Sequence, residues 1–384
     1  MARNRVIYQS EGLIVSSGAA ATAAVDHEQL ERVQSANYSY TINRQDVNQY
    51  GELARIDSIV LDPPTVSVDF SYLLTDGYNE RVLGFYVHQT GGFFSGEGAG
   101  ADGVVGSGEG NFASGHLVAH SGQNVFIVTS PDGIDLNKGE ALDSADTVIG
   151  VGNCYISDYS VDLSVGSLPT VSVTMEGANM NAQTGGGELA SPAISQDNGD
   201  ALTNTIAALP APVSTPGGAT NGTTITALRP GDVTVNFGNV AGEVIADLTG
   251  DGTAHVQSVA ISLPLSRTPL SRLGTKFPFA RTVDFPVTPT ISLSAIMDST
   301  HASNLADVLD SGVQNVNVGI KDANGIEAVR YTLKGVKIDS ESYSSSIGAN
   351  KSVDLTFSAT VGGPSDTSAG VFMSGANGNN VYIA

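Results

Sequence analysis

Three short stretches carry residue types that could do chemistry. Residues 98–103 (GAGADG) fit the GxGxxG pattern of a dinucleotide site, in which the pyrophosphate meets the N-terminus of a helix that follows a strand. His116 and His120 have the spacing that places two metal ligands on one face of a helix. Residues 247–253 (DLTGDGT) resemble the start of a calcium-binding loop.

None of these stretches has the context that its chemistry requires. Residues 98–103 lie within a longer glycine-rich tract, so no strand and helix flank them. The histidine segment GHLVAHSG is short and bounded by glycines, which disfavours a helix. The calcium-like stretch has Ser258 at its twelfth position, where a bidentate carboxylate should close the site. We therefore expect no catalytic residue, no cofactor and no metal site, and a protein that is not an enzyme.

The composition excludes a second group of functions. The 384 residues include 17 Lys and Arg against 39 Asp and Glu, which gives a net charge of -22. A protein that grips nucleic acid or an anionic membrane needs a basic patch, and between Arg81 and Arg229 only Lys138 is basic. Cys154 is the single cysteine, so no intrachain disulfide can form. Without a signal-peptide pattern or 18 consecutive apolar residues, we expect a soluble chain made in a cytoplasm.

Alternation of apolar and polar residues is the clearest structural pattern. It is typical of strands that have one buried and one exposed face, and it marks four segments: 65–72 (TVSVDFSY), 170–176 (TVSVTME), 290–297 (TISLSAIM) and 352–360 (SVDLTFSAT). Residues 76–85 and 299–310 could each hold a short helix. Many turns are expected from 45 Gly and 15 Pro. The pattern predicts a mainly β protein with about one short helix in each half.

Several blocks occur twice, in the same order. The matched pairs are 33–35 with 256–258, Arg44 with Arg267, Gly51 with Gly274, 64–67 with 289–292, 123–125 with 314–316, and 156–175 with 338–357. We interpret them as an internal duplication. It predicts a first domain over residues 1–178, a Gly/Pro/Ser-rich linker over 179–224 and a second domain over 225–384. A long glycine-rich loop, 91–115, belongs to the first copy alone.

The repeated blocks also carry a family resemblance. Residues 32–72 (RVQSANYSYTINRQDVNQYGELARIDSIVLDPPTVSVDFSY), with the opening MARNRVIYQSEGL, resemble the tail tube (major tail) proteins of long-tailed bacteriophages. The likeness is strongest over residues 1–180 and reaches the second half through the repeat. It implies a β-sandwich or barrel with a flanking helix, whose sheet joins a closed ring. Stacked rings of six such domains form the hollow tail tube that conducts DNA during ejection.

For a chain with two such domains, the resemblance implies a ring of three chains with pseudo-sixfold symmetry. The implied partners are further copies of the chain, in the ring and in the stack, and the tape measure, tail terminator and distal tail proteins. DNA would pass without specific binding, and no membrane would be contacted. The implied location is the virion tail, after synthesis in the host cytoplasm.

Three carboxylates are candidate bore-lining positions. Asp69, Glu176 and Asp354 lie on the polar faces of predicted strands, among Ser and Thr and with no Lys or Arg. Facing the bore, they would repel the phosphates of passing DNA, whereas a basic lining would hold the duplex. The alternative is that they only solvate an outer face.

Two other functions stay open. A neck or decoration protein of a virion would also be β-rich and acidic. A carbohydrate-binding adhesin could also have two β-sandwiches, but such proteins present aromatic platforms, and this chain has no Trp.

Overall fold

The described part of the chain folds mainly into β-strands. The computed structural model describes residues 10–61, 63–89, 111–118, 122–131, 134–136, 140–195, 198–212, 228, 233–238, 254–274, 277–297, 314–321, 327–345, 350, 352–363, 366 and 368–375. Its first strands are β1 Glu11–Ser16, β2 His27–Gln29, β3 Val33–Thr41, β4 Arg44–Val47, β5 Asp57–Val60, β6 Thr65–Leu73, β7 Val87–Gln89, β8 Gln123–Thr129, β9 Thr147–Ser164, β10 Thr170–Gly177 and β11 Asn179–Thr184.

Eleven further strands follow: β12 Leu189–Ala190, β13 Thr205–Ile206, β14 Val233–Gly238, β15 Ala254–Pro264, β16 Arg267–Leu270, β17 Ala280–Val283, β18 Thr290–Met297, β19 Gln314–Lys321, β20 Glu327–Ser344, β21 Ser352–Ser358 and β22 Gly370–Gly375. The described residues also form helices α1 Tyr78–Val82 and α2 Ser114–Val118 and a 3₁₀ turn, Ala24–Asp26. The prediction of a mainly β protein is confirmed.

The four predicted alternating strands are β6, β10, β18 and β21. In each, the apolar set is buried and the polar set faces outward, as in Val68, Phe70 and Tyr72 against Ser67 and Asp69. The alternation of apolar and polar residues therefore predicted both where these strands lie and which face of each is buried. The helix expected in 76–85 is α1, whose start is stabilised by the Asp76 carboxylate accepting from the Tyr78 N–H at 3.2 Å. The helix expected in 299–310 lies outside the described residues.

One antiparallel sheet runs through both halves of the chain. Its strand order is β3-β6-β10-β9-β15-β18-β21-β20, and we call it the shared sheet. The crossing point is the pair β9–β15, where Ser164 to Asp158 lie opposite Ser258 to Pro264. The halves are therefore joined by a continuous backbone ladder as well as by the intervening chain.

Two long strands build the second layer. The N-terminal part of β9 extends beyond the shared sheet and pairs with β8 and β11. The N-terminal part of β20 extends in the same way and pairs with β19 and β22. β1 pairs with β8, and β14 pairs with β19. These second sheets cover the apolar face of the shared sheet, so each half is a two-layer sandwich around a core that extends across both.

The two halves repeat one arrangement. β1, β3–β6 and β8–β11 correspond in order and pairing to β14, β15–β18 and β19–β22. A bulge interrupts the β10–β9 ladder between Thr174 and Met175, and another interrupts β21–β20 at the matching place, after Thr356. Gly51 and Gly274, a matched pair of the sequence repeat, both have positive φ, at 92° and 90°. These correspondences agree with the duplication, whose common origin stays a prediction.

The predicted linker is ordered over much of its length. Residues 179–184 form β11, which completes the second sheet beside β9, and the β12–β13 hairpin buries Leu189 and Ile206 in a side core. Gly152 allows this segment to pack closely, because a Cβ there would lie 2.3 Å from the Pro192 carbonyl oxygen. Residues 213–224 lie outside the described residues. Sequence composition alone did not show this packing, because the segment lacks alternating apolar residues.

The halves also interlock in the second layer. β7, from the first half, pairs in parallel with β22, and the Phe112 N–H donates to the Val371 carbonyl at 2.7 Å. Of the predicted loop 91–115, residues 91–110 lie outside the described part of the chain. Its last residues do not form an exposed loop, since Phe112 and Ala113 are buried in the core.

Candidate functional site

The outward face of the shared sheet is mainly polar, and we call it the polar face. Side chains that are opposite each other in neighbouring strands lie on the same face of a sheet. One row across seven strands consists of hydroxyl residues only: Ser35, Ser71, Ser172, Ser160, Ser262, Thr290 and Ser358. In β20, Lys337 lies opposite Ser358 and ends this row, so the row offers short neutral donors and acceptors with one basic side chain at its edge.

The three predicted carboxylates all lie on the polar face. Asp69 and Asp354 are exposed, in the first and second half respectively. Asp69 accepts a hydrogen bond from the Thr174 hydroxyl at 2.9 Å, across the β6–β10 ladder. Glu176 follows two residues later on β10 and is partly exposed. The structure thus brings Asp69 and Glu176 close together and places Asp354 further along the same surface.

Glu176 differs from the other two carboxylates because it has a basic partner. The Arg281 guanidinium, from β17, donates to it at 3.1 Å, with an Arg281 side chain that is 7% exposed. The strand that carries Glu176 has no Lys or Arg of its own, and the basic partner comes from β17. Sequence reading missed the contact because β17 is remote in the chain from β10.

Two further carboxylates lie on the polar face and were not singled out from the sequence. Asp158 and Asp162 are on β9, opposite Pro264 and Ala260 of β15 at the crossing between the halves. Burial raises the pKa of Asp158. The signal was present in residues 156–164 (ISDYSVDLS), where both acids share the alternate positions with Ser160.

The β9–β15 junction is apolar on its core side. Ile261 lies opposite Val161 and Leu263 opposite Tyr159, and all four are buried. At the end of the junction, Arg267 stacks over the Tyr155 ring, with 4.7 Å from its guanidinium carbon to the ring centroid. A cation over an aromatic face is stabilising, more so when it is shielded from water.

Two arginines of the second half thus contact the first half. Besides stacking on Tyr155, Arg267 donates to the carbonyl oxygen of His116, and Arg281 pairs with Glu176. Arg267 also donates to the Arg281 carbonyl oxygen at 3.2 Å, which links the two. We call Arg267 and Arg281 the arginine clamp.

The shared sheet ends in two strands that have no neighbour on their outer side among the described residues. β3 is paired only with β6, and the 337–344 part of β20 only with β21. On the core side of these edges, Tyr38 is 41% exposed, Tyr40 57% and Tyr343 41%. Residues at the matching positions of the β9–β15 junction are buried. The edges therefore expose apolar surface that the junction covers.

Two hairpins, β4–β5 and β16–β17, leave the same end of the shared sheet, and we call them the arms. β3 and β15 run in the same direction in the antiparallel order, and each leads directly into an arm. The arm tips expose Tyr50 and Leu273 fully, at 106% and 102%, each just before the matched positive-φ glycine. Exposed apolar tips at two equivalent places favour a contact with another molecule.

A buried carboxyl group connects the layers. Glu80 of α1 accepts hydrogen bonds from the Tyr72 hydroxyl at 2.8 Å and from the Tyr159 hydroxyl at 3.2 Å. The Tyr159 and Tyr331 hydroxyls are 2.8 Å apart, so the cluster reaches β20 of the second half. Burial raises the pKa of Glu80 to about 7, although the two tyrosine donors oppose this. We call these four residues the Glu80 cluster.

Of the sequence motifs that could have carried chemistry, only His116 lies among the described residues. His116 lies in α2, so a short helix does form there, and its ring packs on Phe85 at 4.5 Å between centroids. His120 and residues 98–103 and 247–253 lie outside the described residues. Within the described ranges, no group of three or more His, Cys, Asp and Glu could hold a metal ion. No helix among those residues is long and apolar enough to cross a membrane.

Comparison with known proteins places the chain in no family. No family model matches it, and no curated protein matches it. Among solved structures, a chain of the sixfold-symmetrised cryo-EM structure of the anti-feeding prophage (AFP) baseplate aligns with 38% of this chain and 93% of its own length. The identity is 14% and the TM-score 0.24, and a TM-score this low carries no argument about function.

Proposed function

We propose that this chain is a structural virion protein that forms the tail tube of a phage, without catalytic activity. In this proposal three chains close into a ring, the two halves of each chain take adjacent places, and stacked rings form a tube that conducts DNA. The observation that carries it is the shared sheet, in which the second half continues the ladder of the first with the same strands in the same order. An interface of this head-to-tail kind generates a ring when its rotation closes after a whole number of repeats.

The polar face supports the bore side of the proposal. It presents hydroxyls and exposed carboxylates such as Asp69 and Asp354, while the opposite face is the protein core. A tube lined by such a face, on which carboxylates outnumber basic side chains such as Lys337, would repel phosphate and make few counterion-releasing contacts with DNA. The outer side of a ring would then be formed by the second sheets of the sandwiches.

The arms support ring stacking. Both project from the same end of the shared sheet, so a ring would carry them on one rim. Their apolar tips would be covered by the next ring, which repeats with the same spacing. Association with the tape measure, tail terminator and distal tail proteins, and a location in the virion tail, belong to the same proposal.

Electron microscopy of the purified chain tests this function. We expect tubes or stacked rings of constant bore, and an Asp69→Asn control should assemble equally, because that side chain is exposed and outside any predicted contact. Isolated trimers that never stack would favour a neck or decoration protein instead. A chain that stays monomeric at all concentrations would contradict both.

A further inference from the structure

We propose that the chain-to-chain contact is an antiparallel pairing of the β3 edge with the β20 edge of a second copy, in a register that places Tyr38 opposite Tyr343 and Tyr40 opposite Glu341. This inference rests on the proposed ring and names the surface that closes it. It also assigns a role to Glu341, which faces the core side at an exposed edge.

The register follows from the junction inside the chain. β15 corresponds to β3 and β9 to β20, by the sequence repeat and by the bulge that both long strands share. Ile261 and Leu263 of β15 therefore occupy the positions that are equivalent to Tyr38 and Tyr40 of β3. Val161 and Tyr159 of β9 occupy the positions that are equivalent to Tyr343 and Glu341 of β20. The observed pairs Ile261–Val161 and Leu263–Tyr159 become Tyr38–Tyr343 and Tyr40–Glu341 when carried over.

We assign the covering strand to a second copy of this chain, because the strand that matches each free edge is the free edge at the other end of the same sheet. An unpaired edge strand invites uncontrolled pairing unless it is blunted or covered. Here both edges belong to one sheet, run antiparallel to each other and expose tyrosines at the positions that are buried in the junction. Pairing them would bury those tyrosines and extend the ladder across the chain boundary, continuing an interface that the chain already contains.

Glu341 makes this edge selective. An inward-facing charge on an edge strand is unfavourable to bury, so it blocks pairing with a strand that cannot satisfy it. The Glu341 carboxylate already accepts a hydrogen bond from the Tyr343 hydroxyl, and burial and this bond raise the pKa of Tyr343. A carboxylate has room for further donors. The β3 edge supplies one in Tyr40, directly opposite in the proposed register.

The chain-to-chain contact also differs from the junction because it lacks the contacts of the arginine clamp. In the junction, Arg281 pairs with Glu176, and the residues at the matching positions are Ser58 of β5 and Ser358 of β21. The stacking of Arg267 on Tyr155 has no equivalent either, since Lys337 stands at the position of Tyr155. The contact between chains is therefore the weaker of the two, and rings should dissociate into intact chains.

Cysteine cross-linking tests the register. Ser39 and Ser342 lie on the polar face and become directly opposite each other, so Ser39→Cys with Ser342→Cys should form a disulfide between chains under mild oxidation. The matching pair in the junction is Ser262 and Ser160. The Leu265 N–H donates to the Ser157 carbonyl and the Val165 N–H to the Gln257 carbonyl, so the hydrogen-bonded pairs of this ladder are at odd-numbered residues. Ser262 and Ser160 therefore form a non-hydrogen-bonded pair. Side chains approach most closely at such pairs. The native Cys154 is buried and will not interfere.

The matched control moves one cysteine by two residues on the same face. Ser39→Cys with Ser340→Cys leaves the partners diagonal, at roughly 7 Å or more, which is too far for a disulfide. We expect cross-linked chains that end at the trimer for the first pair, and at least about tenfold less product for the second. Equal cross-linking, or dimers from Ser342→Cys alone, would overturn the register. Far-UV circular dichroism confirms that each variant is folded.

The role of Glu341 has its own test. Tyr40→Phe removes only the hydroxyl and should weaken association between chains roughly tenfold, as expected for a lost hydrogen bond to a charged group. Glu341→Leu should instead give larger, irregular assemblies, because the edge loses its charge. If wild-type rings are seen but Tyr40→Phe associates normally, this inference fails and the proposed function stands. If the wild type forms no rings, the function itself fails.

Discussion

Replacing Glu80 by Gln should remove a large pH dependence of stability. The Glu80 carboxyl group is buried, and its pKa is raised from 4.5 to about 7, mainly by burial. Because the folded state holds this proton more tightly than the unfolded state, the stability that it contributes is complete below pH 4.5 and is lost as the pH rises through 7. Gln has the same size and keeps an oxygen that accepts from Tyr72 and Tyr159, but it cannot ionise.

The size of the effect follows from the two pKa values. At about 1.36 kcal/mol for each pH unit, a change from 4.5 to about 7 corresponds to about 3 kcal/mol. The difference in unfolding free energy between wild type and Glu80→Gln should therefore shift by about 3 kcal/mol between pH 4.5 and pH 8, with the wild type relatively weaker at pH 8.

Urea denaturation of the unassembled chain, followed by far-UV circular dichroism at fixed protein concentration, measures this difference. Subtraction removes groups common to both proteins, such as His116. Burial lowers the pKa of His116 to about 3, so its contribution to stability grows as the pH rises from 3 to 6.5. Asp354→Asn is the control, because that carboxylate is exposed on the polar face. Parallel pH profiles for wild type and Glu80→Gln would refute the buried, ionisable cluster.

Three further outcomes are expected. Gly152→Ala should destabilise the fold by about 2 kcal/mol or more and expose residues 185–212 to proteolysis, because a Cβ there would lie 2.3 Å from the Pro192 carbonyl oxygen. The control Gly187→Ala should have little effect, because no atom lies within 4 Å of a Cβ at that position. Equal unfolding midpoints for the two variants would contradict the close packing at Gly152. Tyr50→Ser with Leu273→Ser should leave the unfolding midpoint unchanged and shorten tubes in electron micrographs, whereas tubes of normal length would exclude the arm tips from stacking. Asp69→Asn, Glu176→Gln and Asp354→Asn together should slow genome release from intact tails, and unchanged release kinetics would remove these residues from the bore.

The strands of the shared sheet could be predicted from the sequence because their pattern is local. In residues 65–72 and 352–360, every second residue is apolar, and the burial of each side chain follows directly. The carboxylates Asp69 and Asp354 could be placed on the exposed face for the same reason. Asp158 and Asp162 satisfied the same rule and could have been found with it.

What escaped prediction depends on contacts between remote segments. β11 has no alternating apolar pattern, and its place is set by the edge of β9 that it covers. The Glu176–Arg281 pair joins residues of different halves, and the β7–β22 pairing does the same. The interlocking of the halves could not be read from a repeat, because a repeat shows that two units are alike but not how they meet.

The rotational symmetry of assembled rings tests the central claim most directly. In end-on cryo-EM views averaged without imposed symmetry, we predict exact threefold symmetry with six density maxima, alternate ones differing slightly, and three chains per ring by native mass spectrometry. Six chains per ring, or a ring without six maxima, would contradict the claim that the two halves of one chain occupy adjacent places on a common wall.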